Sequence, residues 1–333
     1  MTPIPLSILD RSGVRAGETP EAALRATVAM AEAVERLGFH RFWVSEHHSV
    51  PGIAGSAPTV LAAAVAARTS RIRVGTGGVM LPNHSPLVVA EQFGVLEALY
   101  PGRIDLGLGR STGFTPAVRA ALRGTDADDH AERVTELLGY LRGDQTAFPG
   151  VRARPGEGSR PRPFLLATGA GAALAAELGL PLVIAPVRGA SAMREHIDAY
   201  RSAFVPSDWS SRSHVVVSAS VAVADSETRA RDLLISEAWS TATSRTGGEF
   251  PPLWDPADVH AVRMTERQRR YLDQAMRGGI AGTAAQVRRA LTDVVSTSGA
   301  DELLITTAAF DRERQLDSHA RLVDLAADLP TSA

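Results

Sequence analysis

The chain has 333 residues, of which 44% are hydrophobic and 22% charged, and its formal net charge is −2. A nearly neutral chain has no general electrostatic attraction to nucleic acid or to an anionic membrane, so we expect neither as a partner. The sequence contains no Cys and no Lys, so all 35 cationic side chains are Arg, and disulfide bonds, thiol nucleophiles, Cys-ligated metals and Schiff-base chemistry are excluded.

Apolar runs of strand length alternate with helical stretches through the first half of the chain. The sequence predicts strands at 5–9, 42–45, 72–79 and 104–107, and helices at 20–37, 57–68 and 86–99. Thr19 and Pro20 predict the start of the first helix, because a hydroxyl caps the helix and Pro takes its first position. Gly38 predicts its end.

The second half continues the same alternation. It predicts strands at 164–168, 182–185, 214–223 and 301–306, with a last helix at 312–329. Eight strands in a βα succession predict an α/β fold, a single (β/α)8 TIM barrel that spans residues 1–333 as one domain. An open doubly wound sheet is the alternative, but no glycine-rich dinucleotide motif follows the first strand.

Two long insertions interrupt the alternation, at 110–163 after strand four and at 224–300 after strand seven. Insertions of this length tend to be lids, binding elements or disordered segments. Residues 244–256, which include Trp254, are the part that we expect over the barrel mouth.

We expect a cytoplasmic protein. The first residues have no basic region and no long apolar run, which predicts that no signal peptide is present. The longest apolar stretch, 164–187, is interrupted by glycine and proline turns, so it is a poor membrane span and a better strand–helix–strand unit.

Polar and glycine residues follow the ends of the predicted strands, where barrel enzymes place their catalytic groups. The candidates after strands two and three are Glu46-His47-His48, Gly77-Gly78 and Asn83-His84. Adjacent strand residues point to opposite faces, so the two imidazoles of the first motif are not expected to share an ion, and we predict no metal site. His47 is the candidate for a functional group that titrates near neutral pH, while His48, Asn83 and His84 are candidates for substrate binding or ordinary structural residues.

A second group of candidates follows strands four and five. Arg110 stands beside Gly109 and two hydroxyl residues, and a guanidinium makes paired hydrogen bonds to a phosphate. Thr168-Gly169-Ala170-Gly171 forms a glycine-bearing turn whose backbone N–H groups can face an anion. Each motif alone is weak, but together they predict a phosphate-bearing cofactor.

The chain resembles bacterial luciferase-like flavin monooxygenases. The similarity lies in the residues around Glu46-His47-His48 (42–48), in the run through Gly77-Gly78 to Pro86 (73–86) and in the segment that ends at Arg110 (101–110). Residues 174–181 and 299–303 fit the same family. The similarity covers most of 4–185 and returns near 280–325.

The resemblance implies a two-component monooxygenase. Such an enzyme receives reduced FMN (FMNH2) from an NAD(P)H:flavin reductase, forms a flavin C4a-hydroperoxide with O2, and oxygenates a hydrophobic or aromatic substrate, for example a secondary metabolite. By motif position, His47 would be the catalytic residue beside the flavin, and Gly77-Gly78 would carry a non-prolyl cis peptide under the ring. Arg110, Thr168, Gly169 and Ala170 would bind the phosphate, and the protein would be a homodimer.

Two positions depart from the family pattern. Gly109 stands where some luciferase subunits have a reactive Cys, and Leu166-Ala167-Thr168 replaces a turn of the Gly-Ser-Ser type, so one phosphate-binding hydroxyl is lost. The altered turn keeps open a flavin-binding relative without catalytic activity. Hydride transfer with the deazaflavin F420 is a second alternative, because relatives of this fold perform it.

Overall fold

A computed structural model of the protein describes residues 3–113, 115–124, 127–169, 171–187 and 189–329. Its strands, in chain order, are β1 (Leu6–Asp10), β2 (Arg41–Val44), β3 (Arg73–Thr76), β4 (Val79–Met80), β5 (Ile104–Gly109), β6 (Arg162–Ala167), β7 (Leu182–Ile184), β8 (Val215–Ala219), β9 (Val221–Val223), β10 (Ile280–Gly282) and β11 (Glu302–Ile305). Its helices are α1 (Pro20–Leu37), α2 (Pro58–Arg68), α3 (Pro86–Leu99), α4 (Pro116–Leu122), α5 (His130–Arg142), α6 (Gly171–Glu177), α7 (Ala190–Ala203), α8 (Glu227–Gly247), α9 (Pro256–Ala261), α10 (Glu266–Arg277), α11 (Ala284–Ser298) and α12 (Arg312–Ala326), with short 3₁₀ turns at Leu81–Asn83 and Ala127–Asp129.

Parallel strands close into a barrel in the order β1, β2, β3, β5, β6, β7, β8, β11, and β11 pairs back with β1. The pairing of β3 with β5 completes the ring, in which Val74 is the partner of Ile104. Because β4 pairs with β5 and continues the position of β3, nine strands occupy eight positions. The predicted TIM barrel is confirmed, and the open sheet is not observed.

The first helix shows how local sequence sets the element bounds. Thr19 accepts a hydrogen bond from the backbone N of Ala22 at 3.3 Å, Pro20 is the first helical residue, and Gly38 ends the helix in the left-handed region at φ 91°. The remaining predicted helices of the first half are also present, as α2 and α3.

A buried charge network fills the end of the barrel opposite the strand C-termini. Arg41 is 1% exposed, and its Nη1 donates to Asp105 at 2.8 Å while its Nε donates to Glu302 at 2.9 Å. Trp43 donates to the same Asp105 at 3.0 Å. Above this layer Trp43 packs edge-on against Phe164, with the ring centroids 4.9 Å apart.

The long insertions contain ordered elements. Helix α5 packs against α3 and α11 against α7, in the manner of ordinary barrel helices. Helices α8 to α10 have an apolar cluster of their own, which includes Leu234, Trp239, Leu272 and Met276. Residues 227–277 therefore form a helical subdomain on the barrel rather than a long loop.

Two predicted strands differ from the observed ones. The third predicted strand is interrupted between Thr76 and Val79, and the seventh divides into β8 and β9 at Ser220. Strand β9 pairs with β10 outside the barrel, because the hydroxyl of Thr307 accepts a hydrogen bond from Val221 N at 2.8 Å and takes the place of a barrel partner.

Candidate active site

The C-terminal ends of the barrel strands surround a cavity of about 660 Å³. Its walls come from the ends of β2, β3, β5, β6 and β7 and from the loops that follow them. Seven of the residues predicted from the sequence line it together: His47, His48, Gly77, Gly78, Arg110, Thr168 and Gly169. The parallel register explains this, since it brings strand ends that are distant in sequence to one rim.

His47 lies just beyond β2 and faces this cavity. Its Nδ1 is 3.0 Å from the hydroxyl of Ser45, and its backbone N donates to Gly55 O at 2.8 Å. Burial lowers the pKa of His47 to about 4, and the positive charge of Arg11 acts in the same direction. The imidazole is therefore neutral at pH 7, which differs from the titration near neutral pH expected from the sequence, because the sequence does not show the burial.

Glu46 is a site residue to which the sequence assigned no function. Its carboxylate is 3% exposed and accepts a hydrogen bond from Met80 N at 2.8 Å. The Nε2 atoms of His48 and His84 lie 2.7 and 2.8 Å from Oε1 of the same carboxylate. Burial acts to raise the pKa of Glu46, but the bonds from His84, Met80 and His48 outweigh it and hold the pKa below its ordinary value.

The three residues predicted to bind substrate occupy different places. His48 lines the large cavity. His84 is held by Glu46, and Asn83 lies in the 3₁₀ turn with both amide atoms buried and without a hydrogen-bond partner among the described residues. Neither Asn83 nor His84 is among the described residues that line the cavity, so a role for them in substrate binding stays a prediction.

The peptide bond between Gly77 and Gly78 is cis, as the resemblance implied. A side chain at Gly78 would collide with backbone, and one at Gly77 would require the side chain of Leu9 to move. A Cβ on Gly78 would lie 2.7 Å from the backbone O of Gly107, and one on Gly77 would lie 2.7 Å from Cδ1 of Leu9. The two glycines therefore give the cavity a wall made of backbone.

Two of the predicted phosphate-binding residues, Arg110 and Thr168, directly follow the neighbouring strands β5 and β6. Arg110, Thr168 and Gly169 all line the cavity, whereas Ala170 lies outside the described residues. Arg110 also lies 3.5 Å from Asp128 in an exposed ion pair.

His130 joins this region although nothing in the sequence pointed to it. It lines the cavity, is 6% exposed, and its Nδ1 has no hydrogen-bond partner among the described residues. Burial lowers the pKa of His130, and the charge of Arg110 lowers it further. A buried polar atom without a partner at a cavity wall indicates a ligand with hydrogen-bonding groups.

A second cavity of about 470 Å³ adjoins the first, and Leu9, Ser45, His47 and Gly77 line both. Most of its other walls come from one face of α8 and from the end of α10 with the turn that follows it. The lining residues of these elements are Leu234, Glu237, Ala238, Thr241, Ala275, Gly278 and Gly279. The helical subdomain thus forms the wall beside His47.

Residues 250–253, in contrast, lie against the loops that follow β1 and β2. Leu253 N donates to Val14 O at 2.8 Å, and Gly52 N donates to Phe250 O at 2.9 Å. The predicted cover at 244–256 is therefore replaced near His47 by α8 and the end of α10, because the pattern of Gly and Pro does not show where a long segment packs.

Neither a metal-binding cluster nor a membrane-spanning helix is found among the described residues. No group of three or more His, Asp or Glu side chains there is arranged to hold a metal ion. No helix among them combines the length and apolar character required to cross a membrane.

Comparison with known proteins identifies the family. Residues 4–324 match the family model described as luciferase-like monooxygenase. A protein of Escherichia coli K12 named luciferase-like monooxygenase is 35% identical over an alignment of 339 positions, which covers 98% of each chain.

Solved structures share the fold. Apo-MsnO8 is 32% identical, with a TM-score of 0.85 over 98% of this chain and 99% of that chain. The oxygenating constituent of 3,6-diketocamphane monooxygenase from Pseudomonas putida, solved in complex with FMN, is 18% identical, with a TM-score of 0.73 over the full length of both chains. An F420-dependent secondary alcohol dehydrogenase has the same fold at 16% identity. The whole-length family match and the 35% identity show that the chain belongs to the luciferase-like monooxygenase family, as an oxidoreductase that acts with incorporation of oxygen.

Proposed function

We propose that the protein is a two-component monooxygenase that binds reduced FMN supplied by an NAD(P)H:flavin reductase and oxygenates a hydrophobic or aromatic organic substrate with O2. One observation carries the proposal: His47, the cis Gly77–Gly78 bond and Arg110 all belong to the wall of a single cavity.

The residues of that cavity fit FMN. Arg110, Thr168 and Nδ1 of His130, which has no hydrogen-bond partner among the described residues, supply a cation, a hydroxyl and a hydrogen-bonding nitrogen for a phosphate. The backbone wall at Gly77–Gly78 leaves room for a flat ring. Reduced FMN, once bound, supplies the electrons that activate O2 for transfer of one oxygen atom.

The chain's own residues orient the reactants and handle protons. Ser45 holds Nδ1 of His47, so we assign proton transfer to Nε2 of the neutral imidazole. Glu46 fixes the loop that starts at Met80 against the end of β2. Helix α8 closes the second cavity over His47, which keeps water from the reaction.

The proposal includes a homodimer in the cytoplasm. Helices α2 and α3 carry exposed apolar side chains: Val60 is 70% exposed, Val88 45%, Val95 46% and Leu99 63%. Apolar residues that are close together on neighbouring helices are typical of a contact surface. Sedimentation of the wild type and of a Val95→Asp/Leu99→Asp variant tests it, with a dimer and a monomer as the expected results.

The oxygenase proposal is tested by mixing reduced FMN and O2 with and without the protein and following the release of hydrogen peroxide. An oxygenase should delay peroxide release relative to free FMNH2 and, with substrate, should place ¹⁸O from ¹⁸O2 in the product. Reduction of F420 without oxygen consumption would favour the deazaflavin alternative. Binding of FMN no tighter than to an unrelated protein would favour the non-catalytic one.

A further inference from the structure

The second cavity contains a charge pair at its wall. Nη2 of Arg11, in the loop after β1, pairs with Oε1 of Glu237 on α8. The two side chains are only 25% and 13% exposed, and both line the cavity that adjoins the large one at His47. The pair thus stands beside the wall that the two cavities share.

The ionisable side chains that line this cavity are Arg11, Glu237 and His47, and the first two carry opposite charges. Asp10 adds a second carboxylate near Arg11, although it is engaged by Ser12 N at 2.6 Å and by the hydroxyl of Thr27 at 3.1 Å. A carboxylate ligand would gain little from Arg11, because Glu237 already neutralises this guanidinium, which is the one that lines the cavity. A cationic ligand would have to displace Arg11 from Glu237. Either ion would lose its hydration without a new partner, which is costly in a partly buried site.

A neutral ligand meets no such penalty. In the described part of the chain, the other nitrogens of Arg11 and Oε2 of Glu237 have no further polar partner. They offer donors and an acceptor side by side, while Leu9, Leu234 and Ala238 give the remaining wall an apolar character. A site that is built for hydrogen bonds discriminates strongly against ligands that leave its polar groups unpaired.

We propose that this cavity holds the organic substrate, and that the Arg11–Glu237 pair selects an uncharged molecule that carries a hydrogen-bond acceptor beside a donor, as in a carboxamide. The inference rests on the proposed oxygenase function for the ligand's role as a substrate. The selection against charge is a property of the cavity alone, and it can be tested without turnover.

The test uses three probes with one carbon chain and different head groups: hexanamide, hexanoate and hexylammonium. Their affinities are measured by saturation-transfer NMR on the full chain, with and without oxidised FMN. Wild type should bind hexanamide about tenfold more tightly than either ion, also in the presence of FMN. The reason is that the charges of Arg11 and Glu237 already neutralise each other and attract a bound ion only weakly. In Glu237→Gln the guanidinium loses its partner, so hexanoate should gain about tenfold. In Arg11→Gln, hexylammonium should gain by a similar factor for the same reason.

Asp232→Asn is the matched control, because Asp232 also lies on α8 but pairs with His260 at 2.8 Å and does not line this cavity. It should leave all three affinities unchanged. Ala238→Leu should fill the cavity and abolish hexanamide binding while FMN still binds.

The proposal is overturned if wild type binds hexanoate as well as hexanamide, if wild type binds none of the probes, or if Glu237→Gln does not improve hexanoate binding. Persistence of hexanamide binding in Ala238→Leu would also overturn the assignment to this cavity. Failure of FMN to bind wild type would count against the proposed function instead, so the two failures are distinguishable.

Discussion

Glu46 and His84 are 38 residues apart in sequence, yet Nε2 of His84 lies 2.8 Å from the carboxylate of Glu46. The same carboxylate holds His48 and the backbone N of Met80. Glu46 therefore ties the end of β2 to the loop that follows the cis Gly77–Gly78 bond, and it holds one wall of the large cavity in place.

Glu46→Ala should lower the free energy of unfolding by about 3 kcal/mol, because it leaves the Met80 N–H and two imidazoles without their buried acceptor. Urea denaturation at pH 7 measures it. Glu32→Ala, which removes an exposed ion pair with Arg68, is the control and should cost less than about 1 kcal/mol. Equal losses in the two variants would contradict the role of Glu46.

His47→Asn should reduce oxygenation by about a hundredfold or more, the usual scale for loss of a general acid or base. Binding of oxidised FMN should change much less, because the proposed phosphate ligands Arg110 and Thr168 follow β5 and β6, whereas His47 follows β2. Product formation and quenching of FMN fluorescence are the two measurements. A parallel loss of both would indicate that His47 only shapes the site.

The pKa of His47 also predicts how stability depends on pH. Burial lowers this pKa from 6.5 to about 4, so the unfolded chain binds the proton at a higher pH than the folded one. The stabilisation associated with His47 is thus fully present above pH 6.5 and is lost as the pH falls towards 4. Denaturation of His47→Asn should show a weaker loss of stability over this range than wild type does.

Arg110→Gln should weaken FMN binding about tenfold to a hundredfold and leave riboflavin binding unchanged, because only FMN carries the phosphate that the guanidinium would bind. Fluorescence titration with both flavins gives the comparison. Arg119→Gln is a suitable control, since Arg119 is bonded to Gly113 O at 3.0 Å and does not line the cavity. Equal weakening of riboflavin would place the effect elsewhere than at the phosphate.

Gly78→Ala should destabilise the protein more than Gly77→Ala. The new Cβ at 78 meets the backbone O of Gly107 at 2.7 Å, whereas at 77 the nearest atom is Cδ1 of Leu9, which can rotate away. Overpacking of this kind costs roughly 1–3 kcal/mol, and the backbone contact should fall at the upper end. Thermal unfolding of both variants checks the order, and the reverse order would contradict the packing argument.

Glu302→Leu should destabilise the fold by about 3–5 kcal/mol at pH 7, because it removes a carboxylate from the buried Arg41. Burial acts to raise the pKa of Glu302, but the charge of Arg41 and the bonds from His214 and Ser7 bring it to about 2. The stabilisation is present above the ordinary value of 4.5 and disappears as the pH falls towards 2. Wild type should therefore lose more stability than the variant does between neutral and acid pH in urea titrations; parallel losses would count against the network.

Local sequence was enough to predict the barrel, because apolar runs, caps and glycine ends act over a few residues. Helix α1 begins at Pro20 after the cap residue Thr19 and ends before Gly38, as predicted. The resemblance also placed the cis bond at Gly77–Gly78. The motif positions also predicted that His47 and Arg110 line one cavity, because the C-terminal ends of parallel barrel strands lie at the same rim.

The features that sequence did not predict depend on distant partners. Nothing near His130 shows that it is buried against the cavity, and nothing near Arg41 shows that its carboxylates come from β5 and β11. The low pKa of His47 has the same origin, since it results from burial beneath other elements. The wall contributed by α8 depends on how residues 224–300 pack on the barrel, which no local sequence pattern shows.

Helices α8 to α10 have an apolar cluster separate from the core between the barrel strands and the outer helices. Substitutions on the inner face of α8 can therefore alter what is admitted beside His47 at little risk to the barrel that carries the residues proposed to bind FMN. Because the α8–α10 cluster and the barrel core are separate, related chains could diverge in the compounds they accept while they retain one common oxidising centre.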